Sequence, residues 1–344
     1  MNKLLAQGFK APTSPPHGEG EMLEEFMSLL LLSLLLGSLY SMMGLGITMT
    51  FKIVRFANFA HAELVTIGAY VSVMMINMLG GGVVGAAVCS FLASALLALA
   101  MDELVYKPMA KRGASALYLL TASIGVGLFV RYVLSIFADI YGMLCVQSKR
   151  MPTRIAELAG ADVTDLHVWV IATLIGIVTL LHLMLTRTKL GKAMRATACN
   201  FELAQASGID TDLVRRVTWI IAGGLAGLAG MFWSIYAPIN PEVGWRYLLW
   251  AFAASILGGM TSFYGTIAAG IIGGLAEVFG ITLANRLFGV SLSYRWMISF
   301  IIVIVVLLVN PRGLAAIRLE ALREWLKAPR LPRLPKLKLS ARRG

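Results

Sequence analysis

From Phe26 to Met49 the chain carries no charged side chain. A helix rises 1.5 Å per residue and a bilayer core is about 30 Å thick, so about 20 mostly apolar residues cross it. This stretch is long enough, and others follow it. Apolar stretches lie at 57–79, 82–101, 116–137, 166–186, 217–236, 241–259, 262–284 and 296–309. Composition agrees, with 58% hydrophobic and 14% charged residues among 344, and a mean hydropathy of +0.78. Soluble domains hold roughly 45–50% apolar and 25% charged residues. So much apolar surface has no place in a water-soluble fold, which excludes a soluble enzyme, a disordered regulator and a secreted disulfide scaffold. The expected fold is all-α, a polytopic transmembrane helical bundle of eight or nine spans, some short or broken. Residues 241–259 are the doubtful span, because Glu242 and Arg246 leave only Leu248 to Gly259 cleanly apolar. A broken or re-entrant helix fits there, and it requires protein around it.

Orientation follows from the basic residues, which concentrate on the cytoplasmic side of membrane proteins. With nine spans, one side holds 21 Lys and Arg and the other 8, Arg131 lying inside a span. The richer side is expected in the cytoplasm, with the N-terminus outside and the C-terminus inside. The C-terminal tail supplies ten of the 21, yet the loops alone still lean 11 to 8. Three regions result. Residues 1–25, with Pro12, Pro15, Pro16 and four Glu, read as a disordered extension without a signal-peptide core; Met22 and Met27 are alternative starts. Residues 26–313 form the membrane domain. Residues 314–344 form a basic tail that repeats apolar residues at Leu314, Ile317, Ala321 and Trp325. That helical spacing suits the lipid bilayer surface, and the Pro-rich remainder suits disorder beside anionic lipid. A net charge of +12 raises nucleic acid as a partner, but no aromatic interleaving supports it, and none is expected.

Catalytic patterns are missing. Cys89, Cys145 and Cys199 are scattered and form no CxxC pair. The four histidines lack metal-ligand spacing, and no GxSxG elbow occurs. Leu190-Gly191-Lys192-Ala193 is the nearest string to a phosphate-binding GxxxxGK(S/T) loop, without its upstream glycines or its hydroxyl. No catalytic residue, metal site or cofactor is therefore expected in this chain. Glycine is abundant instead, with 34 residues. Gly223, Gly227 and Gly230 share a helix face, as do Gly270 and Gly274; small residues let membrane helices pack closely, and such packing also allows sliding.

Ionisable groups at membrane depth are costly and tend to be functional. Glu63 and Glu277 stand out. Each reads either as a functional carboxylate or as an interface residue paired with a loop cation. Arg131 and His182 read as residues that snorkel from span ends.

The segment 187–216 is the longest polar stretch between two clear spans. Ala193, Ala196, Leu203, Ala204 and Ala206 favour helix, and Gly208 with Asp210 reads as a stop and a new N-cap. A short cytoplasmic helix of this kind suits docking of a soluble partner; a plain basic loop is the alternative. Its residues Leu190, Gly191, Ala193, Arg195, Ala196, Ala198 and Asn200, then Ala204, Gly208 and Ile209, follow the pattern LGxAxRAxAxN…A…GI. Asn58-Phe59-Ala60-His61-Ala62-Glu63 with Gly68-Ala69-Tyr70 is similar to NFAHGE…GAY. Thr121 to Gly125, Ile239-Asn240-Pro241, Gly258 to Ser262 with Gly273, Gly274 and Glu277, and Asn310 to Leu314 add further matches. Together they run from about residue 30 to 315. In these motifs the chain resembles permeases of ATP-binding-cassette (ABC) transporters, in the LivH-type branch that serves branched-chain amino acids. Ala62 and Thr261 depart from the pattern, each standing where the family has glycine.

The resemblance implies a division of labour. Two permease subunits, this chain and a homologue or copy, form the pathway in a prokaryotic inner membrane. Two cytoplasmic ATPase subunits consume ATP with Mg, and an extracytoplasmic binding protein delivers a small molecule, an amino acid. The resemblance assigns the ATPase contact to the 187–216 segment, with Gly191, Ala193, Arg195, Asn200, Glu202, Ala204 and Gly208 as its residues. For the substrate pathway it points to Asn58, His61, Glu63, Thr121, Ser123, Asn240 and Glu277. Two alternatives stay open: the same machine carrying urea or short amides, and an ion-coupled secondary transporter acting alone.

Overall fold

A computed structural model describes residues 19–294 together with 297, 301, 304, 305 and 308. Residues 1–18, most of the 296–309 stretch and the tail from 309 onward lie outside the described residues, and with them the expected ninth span and amphipathic tail helix.

The first helix, α1 (Glu19–Val54), is 36 residues long. Glu21, Glu24 and Glu25 open it, where carboxylates favour the positive end of the helix dipole. It stops where Arg55 turns to φ 62°. Then come α2 (His61–Asn77) and α3 (Val83–Met101). The latter runs through one π turn, Asp102–Tyr106, into α4 (Lys107–Lys111). After α5 (Ala116–Ile140), a hairpin of β1 (Arg154–Leu158) and β2 (Ala161–Thr164) forms an antiparallel pair. Its tip is Ala159-Gly160, both at positive φ, as a tight two-residue hairpin turn requires.

α6 (Asp165–Arg187) starts from a capping box of Thr164 and His167. Two short helices follow, α7 (Lys189–Cys199) and α8 (Phe201–Ala206). The sequence suggests one helix here; the structure has two, because Asn200 leaves helical geometry and its Oδ1 accepts from Leu203 N at 3.0 Å, capping the second. Gly208, at φ 80°, ends α8 in the left-handed conformation that favours glycine. Asp210 caps α9 (Thr211–Tyr236). Then follow α10 (Val243–Leu257) and α11 (Phe263–Phe288).

Six of these helices are long and apolar enough to cross a membrane: α1, α3 with its continuation, α5, α6, α9 and α11. The other two expected spans are short, α2 with 17 residues and α10 with 15. The chain is thus an all-α transmembrane bundle with two shorter members. Among the long helices α9 is the most deeply buried and α6 and α5 the least. Its glycines explain this. A Cβ on Gly227 would overlap Ser90 O, and one on Gly230 would overlap Val65 O, so α9 lies backbone to backbone against α3 and α2. Gly274 meets Gly37 in the same way between α11 and α1.

Candidate functional site

The start of α2 gathers a group of buried polar side chains. Asn58 is buried, and its Oδ1 accepts from Ala60 N at 3.1 Å and from Tyr106 Oη at 3.3 Å. Ser123, reaching over from α5, accepts from Phe59 N at 3.1 Å. The next backbone N–H groups turn back onto the loop itself, His61 N to Asn58 O, Ala62 N to Phe59 O and Glu63 N to Ala60 O. His61 Nε2 lies 3.1 Å from Met43 O, well inside α1. Leu64 O accepts from Ser94 Oγ at 2.8 Å, well inside α3. α2 therefore begins opposite the interiors of its neighbours, and an irregular segment, 55–60, leads up to it. Non-helical backbone at such a position is tolerated when protein surrounds it.

α10 begins against the same place. Asn240 Oδ1 accepts from Glu242 N at 3.2 Å and Asn240 O from Val243 N at 3.0 Å, which turns the chain into the helix. Gly244 N then donates to Thr66 Oγ1 at 3.1 Å, and a Cβ on Gly244 would overlap Ala62 O. The starts of the two shorter helices touch. Ala62, one of the two departures from the family pattern, is buried at this contact. Thr261, the other, is exposed in the turn before α11.

Beside this junction Glu63 meets Arg131 of α5. Arg131 Nε and Nη2 donate to Glu63 Oε1 at 3.0 and 2.5 Å. The side chains are 2% and 11% exposed, and the guanidinium carbon lies 4.7 Å from the centroid of the exposed Trp245 ring. The snorkelling expected of Arg131 is thus not what it does; a carboxylate one helix away holds it inward. Asn58 Nδ2, His61 Nδ1 and Glu63 Oε2 are buried without a hydrogen-bond partner, although such atoms in proteins are nearly always satisfied.

The remaining predicted residues separate from this group. Thr121 lies on the outer face of α5 and its hydroxyl donates to Leu117 O at 3.0 Å. Glu277 is buried elsewhere, accepting from Tyr40 Oη at 2.6 Å. There Tyr40 stacks on Trp250 at 4.9 Å and Trp233 on Tyr247 at 3.7 Å. His182 is exposed beside Tyr264, whose hydroxyl shares a hydrogen bond with its Nδ1.

In the 187–216 segment the predicted residues divide by exposure. Gly191 is buried against Met184 O and Leu185, so its lack of a side chain serves packing of α7 on α6. Ala204 is buried and Ala193 half-buried, while Arg195, Asn200, Glu202 and Gly208 are exposed. Arg195 also reaches back to donate to Leu185 O. Phe201 and Leu203 are exposed too, an apolar pair on α8 that motif reading passes over.

A charge cluster ties this segment to the bundle. Arg215 Nε donates to Asp102 Oδ1 and Oδ2 at 3.0 and 2.7 Å, and Nη2 to Oδ1 at 2.6 Å. Arg216 Nε donates to Glu103 at 2.5 Å, and Lys107 Nζ lies 3.0 Å from Asp212 and 3.1 Å from Glu103. The π turn puts Asp102 and Glu103 in reach of the same helix end. Sequence reading misses this cluster, as it misses Arg131 as a partner of Glu63; Arg131, a charge inside a span, was the available signal.

Comparison with known proteins agrees with this architecture. Residues 29–307 match the family described as branched-chain amino acid transport system / permease component. The high-affinity branched-chain amino acid transport system permease protein LivH of Escherichia coli K12 is 30% identical over 299 residues, 81% of this chain and 92% of the relative. LivH of Salmonella typhimurium is 29% identical over the same coverage. BraD of Pseudomonas aeruginosa, named as a permease of the same kind of system, is 26% identical over 315 residues, 84% of this chain and 95% of the relative. By the extent of the family match, which takes in nearly the whole bundle, this chain belongs to the branched-chain amino acid transport system permease family.

Proposed function

We propose that the chain is the membrane-spanning permease subunit of an ABC importer in a prokaryotic inner membrane, forming the pathway for branched-chain amino acids. The family match over residues 29–307 carries this reading, and the unpaired polar atoms of Asn58, His61 and Glu63, where two shorter helices meet inside the bundle, support it, since a solute at membrane depth needs such donors and acceptors. The pathway runs past Asn58, His61, Glu63, Ser123 and Asn240 at that junction. Thr121, exposed on the outer face of α5, stands apart from that junction, and Glu277 supports the wall from its aromatic cluster.

The chain itself is not an enzyme and holds no cofactor. ATP and Mg are used by separate cytoplasmic ATPase subunits that dock on the 187–216 segment. Exposed Arg195, Asn200, Glu202 and Gly208 form the contact, and Gly191, Ala193 and Ala204 hold the helices in place. A second permease subunit completes the pathway, and an extracytoplasmic binding protein delivers the substrate. The termini lie outside (N) and in the cytoplasm (C). Competition for uptake tests the substrate. In proteoliposomes holding the complete importer, unlabelled isoleucine and valine should suppress uptake of radiolabelled leucine, and urea and acetamide should not. Import of urea with no import of leucine would overturn the assignment.

A further inference from the structure

Among the described residues are two buried Arg–carboxylate pairs, and they are built differently. In Asp102–Arg215 both carboxylate oxygens accept from the guanidinium. That is the fork geometry of a tie that holds two helices together. In Glu63–Arg131 both donors crowd onto Oε1, and Oε2 stays buried without a hydrogen-bond partner. The Thr66 hydroxyl stands within reach of the Glu63 carboxylate, but donates to Ala62 O at 3.3 Å and accepts from Gly244 N at 3.1 Å. Taking two charges out of water costs several kcal/mol each, and only complete hydrogen bonding repays it. The second pair is therefore a poor structural tie, with acceptor capacity left over.

Its surroundings are not those of a lipid-facing surface. Arg131 sits near the middle of α5, under Trp245, and Trp245, Arg246 and Glu242 are all exposed at the start of α10. Charges are expensive against hydrocarbon, so this face borders a water-filled or protein-lined space. The backbone does not offer an anion site here, because the N–H groups of residues 59–63 are already bonded to Asn58, Phe59, Ala60 and Ser123. A ligand carboxylate has the guanidinium as its donor.

We propose that Glu63, Arg131 and Trp245 form a subsite for the zwitterionic head group of an α-amino acid. The ligand's ammonium donates to Glu63 Oε2, its carboxylate accepts from the Arg131 guanidinium, and Trp245 holds the guanidinium in place from its open side. Pair and ligand are each neutral overall. Exchange of partners between them leaves the net charge of the site unchanged, which keeps the cost of desolvation low as the solute crosses. This assignment rests on the permease reading, and it adds that the membrane subunit itself reads the head group.

Equilibrium binding to the purified membrane complex in nanodiscs, without the binding protein, tests it. The ligand is radiolabelled leucine, and the competitors are isovalerate, which lacks the amine, and isoamylamine, which lacks the carboxylate. In the wild type each competitor should bind at least about tenfold more weakly than leucine, as expected of a site left with unpaired polar groups by an incomplete ligand. Glu63→Gln should erase the penalty for isovalerate, and Arg131→Gln that for isoamylamine. The double variant Glu63→Gln/Arg131→Gln leaves no lone buried charge and so guards against misfolding, which copurification with the ATPase monitors. It should lose at least about tenfold in leucine affinity. Leucine binding by the double variant equal to the wild type would make the pair a helix tie and overturn the subsite, while the permease reading stands. A wild-type complex that neither binds nor imports any branched-chain amino acid would overturn both.

Discussion

Asp102 is fully buried, and its charge is offset by one guanidinium on another helix. Removing one member of such a pair leaves the other charge stranded and typically costs about 3–5 kcal/mol. Arg215→Met and Asp102→Leu should each destabilise the chain by about that amount, and the double variant should recover most of it; thermal unfolding followed by fluorescence-detected gel filtration checks this. Glycine gives a second contrast. Gly230→Ala would push a methyl into Val65 O and should prevent α9 from seating, with loss of folded protein on gel filtration. Gly125, inside α5, has open space around its α-carbon, so Gly125→Ala should be tolerated, with a gain of up to about 1 kcal/mol from helix propensity. These distinctions were only partly open to sequence reading. The glycine stripe on α9 was visible as a period, as was Glu63 as a charge in an apolar run. The partners Arg131 and Arg215 stand far along the chain from their carboxylates, and no local pattern links them.

Helices and loops follow the sequence more closely. Charge-free runs of sufficient length became long helices, and the run broken by Glu242 and Arg246 became a 15-residue helix. The shortness of α2 was not legible, because Asn58 to Glu63 is apolar enough to continue a span. In the turn before it, Asn58 Oδ1 and Ser123 Oγ, the latter from another helix, take the N–H groups of Ala60 and Phe59. Asn200 is a similar case, reading as a weak helix former and acting as a cap. Gly208 offers the sharpest test of the proposed ATPase contact at this scale. Its φ of 80° and the bond from its N–H to Gln205 O are both closed to proline, which fixes φ near −65° and has no N–H. Gly208→Pro should therefore abolish uptake while membrane insertion and protein yield persist. Glu202→Lys, which reverses a charge on exposed α8, should do the same without disturbing any hydrogen bond of the bundle. Unchanged uptake in either variant would remove the 187–216 segment from the coupling role.

At the scale of the whole molecule, a bundle of apolar helices supplies a conduit, and its sequence lacks a phosphate-binding loop. The charge cluster of Asp102, Glu103, Lys107, Asp212, Arg215 and Arg216 fastens the end of α3 to the start of α9, immediately after α8. A push on α7 and α8 would reach the two helices that flank α2 through those contacts. Such a push changes access only if the two states differ in their contacts with partner and solute. Pull-down from native membranes should accordingly recover a cytoplasmic ATPase at roughly equal stoichiometry. Overall architecture was the most legible level, since composition and span length decide it, whereas the assembly of subunits leaves no periodic signal within one chain. The decisive measurement compares two sets of liposomes, one holding this chain alone under an imposed ion gradient, the other holding the complete importer with internal ATP and external binding protein. Accumulation of leucine only in the second set is the predicted result, and accumulation by the chain alone on the gradient would contradict the account.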